Sequence, residues 1–226
     1  MPEPTNGGHR KGPTTTRRIM MKGAIAAVAA SLLPATAFAT ALDRKAMKRA
    51  ELDYGPLPDE LFPIPAVDLK KLAPLYFRRV VDDPTGEPPG TVVVDTHDRV
   101  LLLTLQNKRA VRYAIGVGRA GFSWSGRGEI KFKRAWPTWT PPAEMIARQP
   151  DLEQYRAGMP PGLENPLGAR ALYIFRDGAD TLYRVHGNSD VGSIGKAVSS
   201  GCVRLLQQDV IDLYARITVP APIIVR

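Results

Sequence analysis

The sequence TVVVDTHDRVLLLTLQ occupies residues 91–106, and its pattern indicates two β-strands joined by a short turn. Residues 91–95 and 100–106 are rich in Val and Leu, and the four residues between them are polar. Aliphatic and β-branched runs on either side of a short polar segment are typical of a β-hairpin. We take this hairpin as the start of a β-rich domain.

Further strands are predicted along the rest of the chain, at residues 110–117, 129–134, 171–176, 181–185 and 222–226. The third and fourth of these flank Asp177-Gly178-Ala179-Asp180, which predicts a second hairpin. With 21 Pro and 20 Gly in 226 residues, the chain has many turns, and long helical bundles are excluded. We therefore expect a mainly β domain over residues 91–226.

Helices are expected to be few and short. Residues 142–149 are predicted to form one or two helical turns. Apolar side chains recur at helical spacing near the end of the chain, at Val203, Leu206, Val210, Leu213, Tyr214 and Ile217. This spacing predicts a helix directly after Cys202.

Residues 1–39 have the pattern of an export signal: a basic segment with paired arginines, an apolar stretch, and the small-x-small sequence AFA at 37–39. The paired arginines resemble a bacterial twin-arginine signal, which predicts export to the periplasm. An uncleaved membrane anchor is the alternative, although the apolar stretch is shorter than the roughly 20 residues of a spanning helix. Residues 40–90 follow as a proline-rich lead-in segment, in which 42–52 are predicted to form a short charged helix.

Charge and composition exclude several classes of function. The net charge of +9 falls to +5 when residues 1–39 are removed, because that segment holds five basic residues and one acidic residue. No long run of basic residues with interleaved aromatic residues stands out, so nucleic acid is not an expected partner. One cysteine and three histidines are too few for a disulfide framework, an iron–sulfur cluster, a multi-cysteine zinc site or a histidine-rich metal site. No phosphate-binding loop or dinucleotide fingerprint is present, and we expect neither a metal nor a cofactor.

Reactive side chains concentrate at His186 and Cys202, the first after a predicted strand and the second before a predicted helix. The N–H groups and dipole of a helix N-terminus stabilise a thiolate, and a neighbouring imidazolium does the same. Lowering a thiol pKa from about 8.5 by about 1.5 units takes about 2 kcal/mol, which these two effects can supply. From the residue types alone, a buried inert cysteine and a structural histidine remain open alternatives.

His186, followed by Ser199-Ser200-Gly201-Cys202-Val203-Arg204-Leu205, resembles the motif of the L,D-transpeptidase catalytic domain, the YkuD family, in its ErfK/YbiS-type branch. That family carries a histidine, a loop of similar length and then S-x-G-C-aliphatic-R/N. Three further segments are similar to the family: 113–122, 136–142 and 165–172. The resemblance covers residues 91–226 and implies a β-sandwich of mixed sheets with a few short helices, one directly after the catalytic cysteine.

The resemblance also implies roles for individual residues. Cys202 is expected to be the nucleophile and His186 the general base, with the backbone carbonyl of Gly187 orienting the imidazole. The backbone N–H groups of Gly201 and Cys202 are expected to stabilise the oxyanion. Substrate contacts are expected from Ser199, Ser200, Arg204, Asn188, Trp139 and Asn165. The alternatives are that Arg204 braces the loop, that Trp139 packs in the core or its rim, and that Asn165 fixes a loop beside the site or caps a turn.

The implied function is peptidoglycan remodelling by a cysteine-dependent acyltransferase. Cys202 is expected to attack the carbonyl of the third residue of a tetrapeptide stem and to expel the terminal D-Ala, after which the thioester passes to an amine. The acceptor is either another stem peptide, which gives a 3–3 cross-link, or a lysine of an outer-membrane protein or lipoprotein. No stable membrane span is expected after the signal is removed.

Two alternatives stay open from the sequence. Water in place of the amine would make the protein a carboxypeptidase on the same scaffold, and an unreactive Cys202 would leave a non-catalytic wall-binding module. Many family members also carry histidine two residues before the cysteine, where this chain has Ser200. Because serine does not titrate near neutral pH, this departure concerns the handling of the acceptor rather than the nucleophile and base.

Overall fold

The computed structural model describes residues 35–118, 125–199 and 201–226, so most of the predicted export signal, and Ser200, lie outside the described residues. Strands make up most of the regular structure in these ranges. The strands are β1 (Arg79–Asp82), β2 (Val92–Asp95), β3 (Val100–Leu105), β4 (Arg109–Ala114), β5 (Val117–Gly118), β6 (Gly126–Ala135), β7 (Arg170–Arg176), β8 (Ala179–Asn188), β9 (Ala197–Ser199), β10 (Val203–Leu206) and β11 (Ala221–Val225).

The described α-helices are α1 (Ala35–Asp53), α2 (Ala143–Arg148) and α3 (Gln207–Arg216), with 3-10 turns at Pro74–Tyr76, Pro150–Tyr155 and Val191–Ser193. Within the described ranges, no helix combines the length and the apolar character that crossing a membrane requires.

Nine strands form one mixed sheet in the order β1-β4-β3-β2-β11-β6-β7-β8-β10, and β5 and β9 form a separate parallel pair. Pairing within the large sheet is antiparallel except at β11–β2 and β10–β8, which are parallel. The two predicted hairpins are present as β2–β3 and β7–β8, so the prediction of a mainly β fold with mixed pairing is confirmed. The last strand in the sequence, β11, lies in the middle of the sheet.

The main apolar core packs one face of the sheet against α3. Along each strand, alternate side chains point to this face, and those of Ile130, Ile174 and Val185 are fully buried there. From α3, Val210 and Leu213 are fully buried three positions apart on one side of the helix. Each of these side chains contributes roughly 1.5–3 kcal/mol through burial. This core fixes β8 and β10 on the helix that follows them.

The helix predicted directly after Cys202 begins instead at Gln207, because the four residues of β10 come between them. The first and third residues of β10 are buried, and the second is only partly buried. The apolar pattern here therefore has a period of two, as in a strand, and the hydrogen-bonding partner is β8. His186, predicted to follow a strand, lies inside β8 for the same reason.

The lead-in segment packs against the sheet domain. The predicted charged helix at 42–52 falls within α1. After it, the lead-in forms a second apolar cluster with the domain, in which the buried side chains are Ala50, Tyr54, Leu72, Phe77, Ala114, Ile194 and Leu206. Residues 50–77 therefore share an interior with β4, β10 and the chain between β8 and β9.

Candidate active site

The parallel pair β8–β10, at one edge of the large sheet, brings together the two segments that carry the predicted chemistry. In this register Val203 lies opposite Val185, and Arg204 lies opposite His186. Because side chains alternate and both valines enter the core, His186 and Arg204 project from the other face of the sheet. Cys202 directly precedes β10, so its backbone lies one strand spacing, about 4.8 Å, from β8.

His186 is buried, with 4% of its surface exposed, and its ring has a defined tautomer. Its Nδ1 atom lies 2.9 Å from the carbonyl oxygen of Gly187. A carbonyl oxygen only accepts hydrogen bonds, so Nδ1 carries the proton and donates, and Nε2 of the neutral ring is the basic atom. Gly187 thus makes the contact that its predicted orienting role requires.

Burial lowers the pKa of His186 to about 4. The positive charges of Arg204 and Arg184 lower it further, and the carbonyl groups of Gly187 and Pro166 act in the opposite direction. The imidazole is therefore neutral at pH 7, and it can accept a proton.

Burial also raises the pKa of the Cys202 thiol, against a backbone hydrogen bond from Arg184 and the charges of Arg184 and Arg204, which lower it. The resting pair is therefore a neutral thiol and a neutral imidazole. These pKa shifts do not favour the expected thiolate held by an imidazolium and a helix N-terminus. The histidine is uncharged, and α3 begins four residues beyond the position that the expectation required.

Gly201, immediately before Cys202, is buried and has a φ of +129°, which side-chain-bearing residues rarely adopt. A β-carbon at this position would lie 3.3 Å from Cε1 of Tyr183. The sequence needs glycine here for both reasons. Ser199 ends β9, where its backbone pairs with Gly118 of β5, and Ser200 is outside the described residues.

Arg204 reaches the site from β10. Its backbone forms two hydrogen bonds of 2.9 Å with Gly116, which ties β10 to the segment before β5. Within the described part of the chain, its buried Nε atom has no hydrogen-bond partner. Burial lowers the pKa of Arg204, and the negative charge of Asp190 opposes this. A guanidinium with a buried donor to satisfy, close to Cys202, is suited to bind an anionic group.

Arg184, which the sequence analysis did not single out, is fixed beside Cys202. Its guanidinium forms two hydrogen bonds with Asp180, of 2.7 and 2.8 Å, and its Cζ atom lies 4.2 Å from the ring centre of Tyr173. That ring in turn stacks on Phe132, with centroids 4.4 Å apart. The alternation of side chains along a strand could have identified Arg184 from the sequence. Arg184 lies two positions before His186 and therefore on the same face of the sheet.

Gln207 is a second residue missed from sequence. Its Oε1 accepts a 2.9 Å hydrogen bond from the backbone N–H of Ala169, and its Nε2 donates to Ser189 at 3.2 Å. A β-carbon at Gly187 would overlap this amide group, and one at Gly168 would lie 2.6 Å from it. Gln207 therefore fixes the backbone around the Gly187 carbonyl that orients His186.

The other predicted substrate-binding residues are placed differently. Asn165 is 3% exposed, and its amide is used within its own loop, since it donates to the carbonyls of Pro137, Met159 and Pro160 and accepts from Leu167. Asn165 thus holds together the loop whose Pro166 carbonyl interacts with His186, which agrees with the expectation that it fixes a loop beside the site.

Asn188 and Trp139 lie on segments that flank the site. Asn188 ends β8, and its Oδ1 accepts a 2.6 Å hydrogen bond from the backbone of Asp190, which shapes the start of the loop toward Cys202. Trp139 is partly buried and pairs through its backbone with Met159. Asn188 thus lies at the start of residues 189–202, which lead to Cys202. Trp139 belongs to the loop region that Asn165 holds together through Pro137, Met159 and Pro160.

The profile of the L,D-transpeptidase catalytic domain, YkuD, matches residues 89–225. The probable L,D-transpeptidase YbiS of Escherichia coli is 34% identical over 141 residues, which cover 58% of this chain and 42% of YbiS. The probable L,D-transpeptidase YcfS of Escherichia coli is 39% identical over 111 residues, which cover 47% of this chain and 34% of YcfS. The chain thus spans less than half the length of these curated relatives.

A solved structure described as a probable carnitine operon oxidoreductase from Brucella melitensis is 40% identical. The match covers 67% of this chain and 94% of that one, with a TM-score of 0.48. That name concerns the Brucella protein, and the present sequence has no dinucleotide fingerprint.

Proposed function

Because the chain belongs to the L,D-transpeptidase catalytic domain family, we propose that it is an exported peptidoglycan L,D-transpeptidase whose nucleophile is Cys202. One observation carries the proposal. The single cysteine of the sequence directly precedes the strand that pairs in parallel with the strand of His186, whose ring is buried and neutral and has its basic atom at Nε2.

In the proposed acylation step, Nε2 of His186 takes the proton of the Cys202 thiol as the sulfur attacks the carbonyl carbon of the third residue of a tetrapeptide stem. Both groups are neutral at rest, so charge separation accompanies the attack instead of preceding it. The Gly187 carbonyl, which accepts from Nδ1, stabilises the imidazolium while it lasts.

The tetrahedral intermediate carries a negative charge on the former carbonyl oxygen. We assign its stabilisation to the backbone N–H groups of Gly201 and Cys202, which lie at the bend that the positive φ of Gly201 makes immediately before β10. The imidazolium then gives its proton to the amine of the departing D-Ala, and the carbon–nitrogen bond breaks to leave a thioester on Cys202.

In the second half-reaction an amine attacks the thioester, with His186 as its general base, and the thiol is restored. The acceptor amine belongs to a second stem peptide, which gives a 3–3 cross-link, or to a lysine of an outer-membrane protein or lipoprotein. Since Ser200 does not titrate near neutral pH, His186 serves both half-reactions alone.

Arg204 is proposed to bind a carboxylate of the stem peptide, because its buried Nε atom has no hydrogen-bond partner in the described part of the chain. Ser199, Ser200, Asn188 and Trp139 are proposed to line the same groove. The protein is proposed to act in the periplasm, after export through the signal at residues 1–39, on peptidoglycan stem peptides.

The test uses residues 40–226, a disaccharide-tetrapeptide and mass spectrometry, with the Cys202→Ala variant in parallel. A dimer that lacks one D-Ala and requires Cys202 would support transpeptidation. Tripeptide without dimer would favour the carboxypeptidase. If the donor is unchanged, exposure to a carbapenem decides the matter: a covalent adduct on Cys202 would point to a required protein acceptor, and no adduct would mean a non-catalytic wall-binding module.

A further inference from the structure

We infer that Tyr76, in the lead-in segment, is a positioning residue for the nucleophile loop. This name is given to residues 189–202, which connect β8 to β10 and include β9. The expected effect of Tyr76 on catalysis rests on the proposed function. The inference also extends the catalytic unit beyond the family match, which begins at residue 89, to include residues 50–78.

The ring of Tyr76 lies directly against Gly195, at the turn in the middle of the nucleophile loop. A β-carbon added to Gly195 would overlap the Tyr76 hydroxyl and would lie 2.9 Å from Cε1 of the ring. Gly195 has a φ of +76°, which also favours glycine. The close approach of ring and backbone is therefore possible only because this position carries no side chain.

Neighbouring residues extend the contact on both sides. From the loop, Ile194 is 3% exposed and packs in the second apolar cluster with Leu72 and Phe77 of the lead-in, and Val191 packs against the same cluster. On its other side, the turn is held by a 3.0 Å hydrogen bond from the N–H of Gly195 to the carbonyl of Ile115. The turn is thus held between the sheet and the lead-in.

The turn sets the path of the chain toward the nucleophile. Lys196 follows Gly195, and its carbonyl accepts a 3.0 Å hydrogen bond from the N–H of Val117, where the β5–β9 pair begins. The chain then runs through β9 to Gly201 and Cys202. Because only residues 196–201 separate the turn from Cys202, displacement of the turn is expected to move the sulfur and the oxyanion donors together.

Tyr76 is itself held firmly by its own segment. It ends a 3-10 turn, in which its N–H donates to Ala73 at 2.9 Å. Two residues later, the guanidinium of Arg78 binds Asp53 and Asp209, each at 3.2 Å, and the N–H of Arg78 donates to the Tyr54 hydroxyl at 2.7 Å. The segment that carries Tyr76 is therefore anchored to α1 and α3 independently of the loop.

The test measures acylation of Cys202 by a carbapenem, and backbone amide exchange of residues 194–202, in Tyr76→Ala, Tyr76→Phe and Leu75→Ala. We expect Tyr76→Ala to slow acylation by about tenfold or more and to speed exchange in the loop. Tyr76→Phe keeps the ring and is expected to behave as wild type. Leu75→Ala is the matched control, since Leu75 lies in the same 3-10 turn but is 56% exposed.

Wild-type acylation and exchange in a folded Tyr76→Ala variant would overturn the inference, as would a loss in Tyr76→Phe equal to that in Tyr76→Ala. If Tyr76→Ala does not fold, Tyr76→Leu, which keeps apolar packing without the ring, carries the same comparison. If the wild-type protein itself is not acylated, the proposed function fails instead, and the exchange of residues 194–202 still decides whether Tyr76 holds the loop.

Discussion

At one end of the large sheet, β2, β3 and β4 bury apolar side chains, whereas at the other end β8, β10 and α3 bury groups that ionise. Leu101, Leu103 and Val111 are at most 2% exposed at the first end, where the side chain of His97 is 96% exposed in a turn. At the second end, His186 is 4% exposed and Asp209 is 1% exposed.

The two ends therefore respond differently to pH. A buried leucine contributes the same burial energy at every pH, but a buried ionisable group has a shifted pKa, and its contribution depends on pH. Two such groups lie at the site end, where His186 and Asp209 both have strongly displaced pKa values. His186 belongs to the proposed catalytic pair, whereas Asp209 forms a buried ion pair with Arg78.

The largest expected difference between the two ends is in catalysis. We expect Cys202→Ala to abolish turnover and His186→Ala to slow acylation by a thousandfold or more, both with a thermal transition close to wild type. Leu103→Ala, at the far end, is expected to lower stability by about 2–5 kcal/mol while the folded fraction keeps its activity. Carbapenem acylation followed by mass spectrometry, together with thermal melts, measures both.

The control is the carbapenem-treated Cys202→Ala protein, which must carry no adduct. Loss of the thermal transition in that variant would mean that the cysteine is structural. An unchanged acylation rate in His186→Ala would remove the histidine from the mechanism.

The next largest expected effect is the pH dependence of the reactivity of the Cys202 thiol. Because burial raises the pKa of Cys202, the thiolate fraction at neutral pH is small and grows about tenfold with each pH unit. We expect alkylation of Cys202 by iodoacetamide to accelerate by about that factor per unit between pH 6 and 8. The same reaction in urea-unfolded protein should be faster at each of these pH values, because the unfolded thiol has its ordinary pKa. A rate independent of pH from 5 to 8 would indicate a preformed thiolate–imidazolium pair.

The smallest expected effect is the pH dependence of stability at Asp209. Burial raises the pKa of Asp209 to about 7, although the charge of Arg78 and a hydrogen bond from Tyr54 lower it, and the carboxylates of Asp212 and Asp53 raise it. An unfolded aspartate titrates near 4, so between pH 4 and 7 the folded state holds a proton that the unfolded state has lost. The contribution of Asp209 to stability therefore falls as pH rises through this window, by at most about 4 kcal/mol, and is constant above it.

Asp209→Asn removes this titration, so its stability relative to wild type is expected to increase as pH rises from 4 to 7. Urea denaturation at several pH values gives the free energy of unfolding of Asp209→Asn and of wild type. His186 contributes with the opposite pH dependence, but equally in both proteins, so its contribution cancels in the difference between them. For Leu103→Ala, the difference in free energy of unfolding from wild type should be independent of pH. A relative stability of Asp209→Asn that decreases with pH would mean that the attraction of Arg78 outweighs burial.

The sequence predicted local features of the fold well and long-range features poorly. The β2–β3 hairpin depends on neighbouring residues, and its strands begin within one residue of the predicted positions. The segment after Cys202 has apolar residues that fit a helix or a strand, and the choice depends on pairing with β8, which local spacing does not encode.

The same limit applies to the candidate site. Cys202, His186 and Gly187 were predicted because the motif is contiguous, or nearly so, in the sequence. Gln207 and Tyr76 were not predicted, because each acts on a backbone distant in sequence. Gly187 and Gly195, the glycines that these two residues contact, could have indicated such contacts, since a glycine inside a strand or turn often marks a close approach by another group.

The position of β11 also has a consequence for how the chain folds. This strand pairs in parallel with β2 and antiparallel with β6, so residues near 92 and near 223 must meet before the sheet is continuous. During synthesis, the hairpin end and the site end are both made before the strand that joins them. Contacts between residues so distant in sequence slow folding, and until they form, β2 and β6 each present an unpaired edge. Chains that stop short of residue 221 are thus expected to aggregate rather than to yield a smaller active domain.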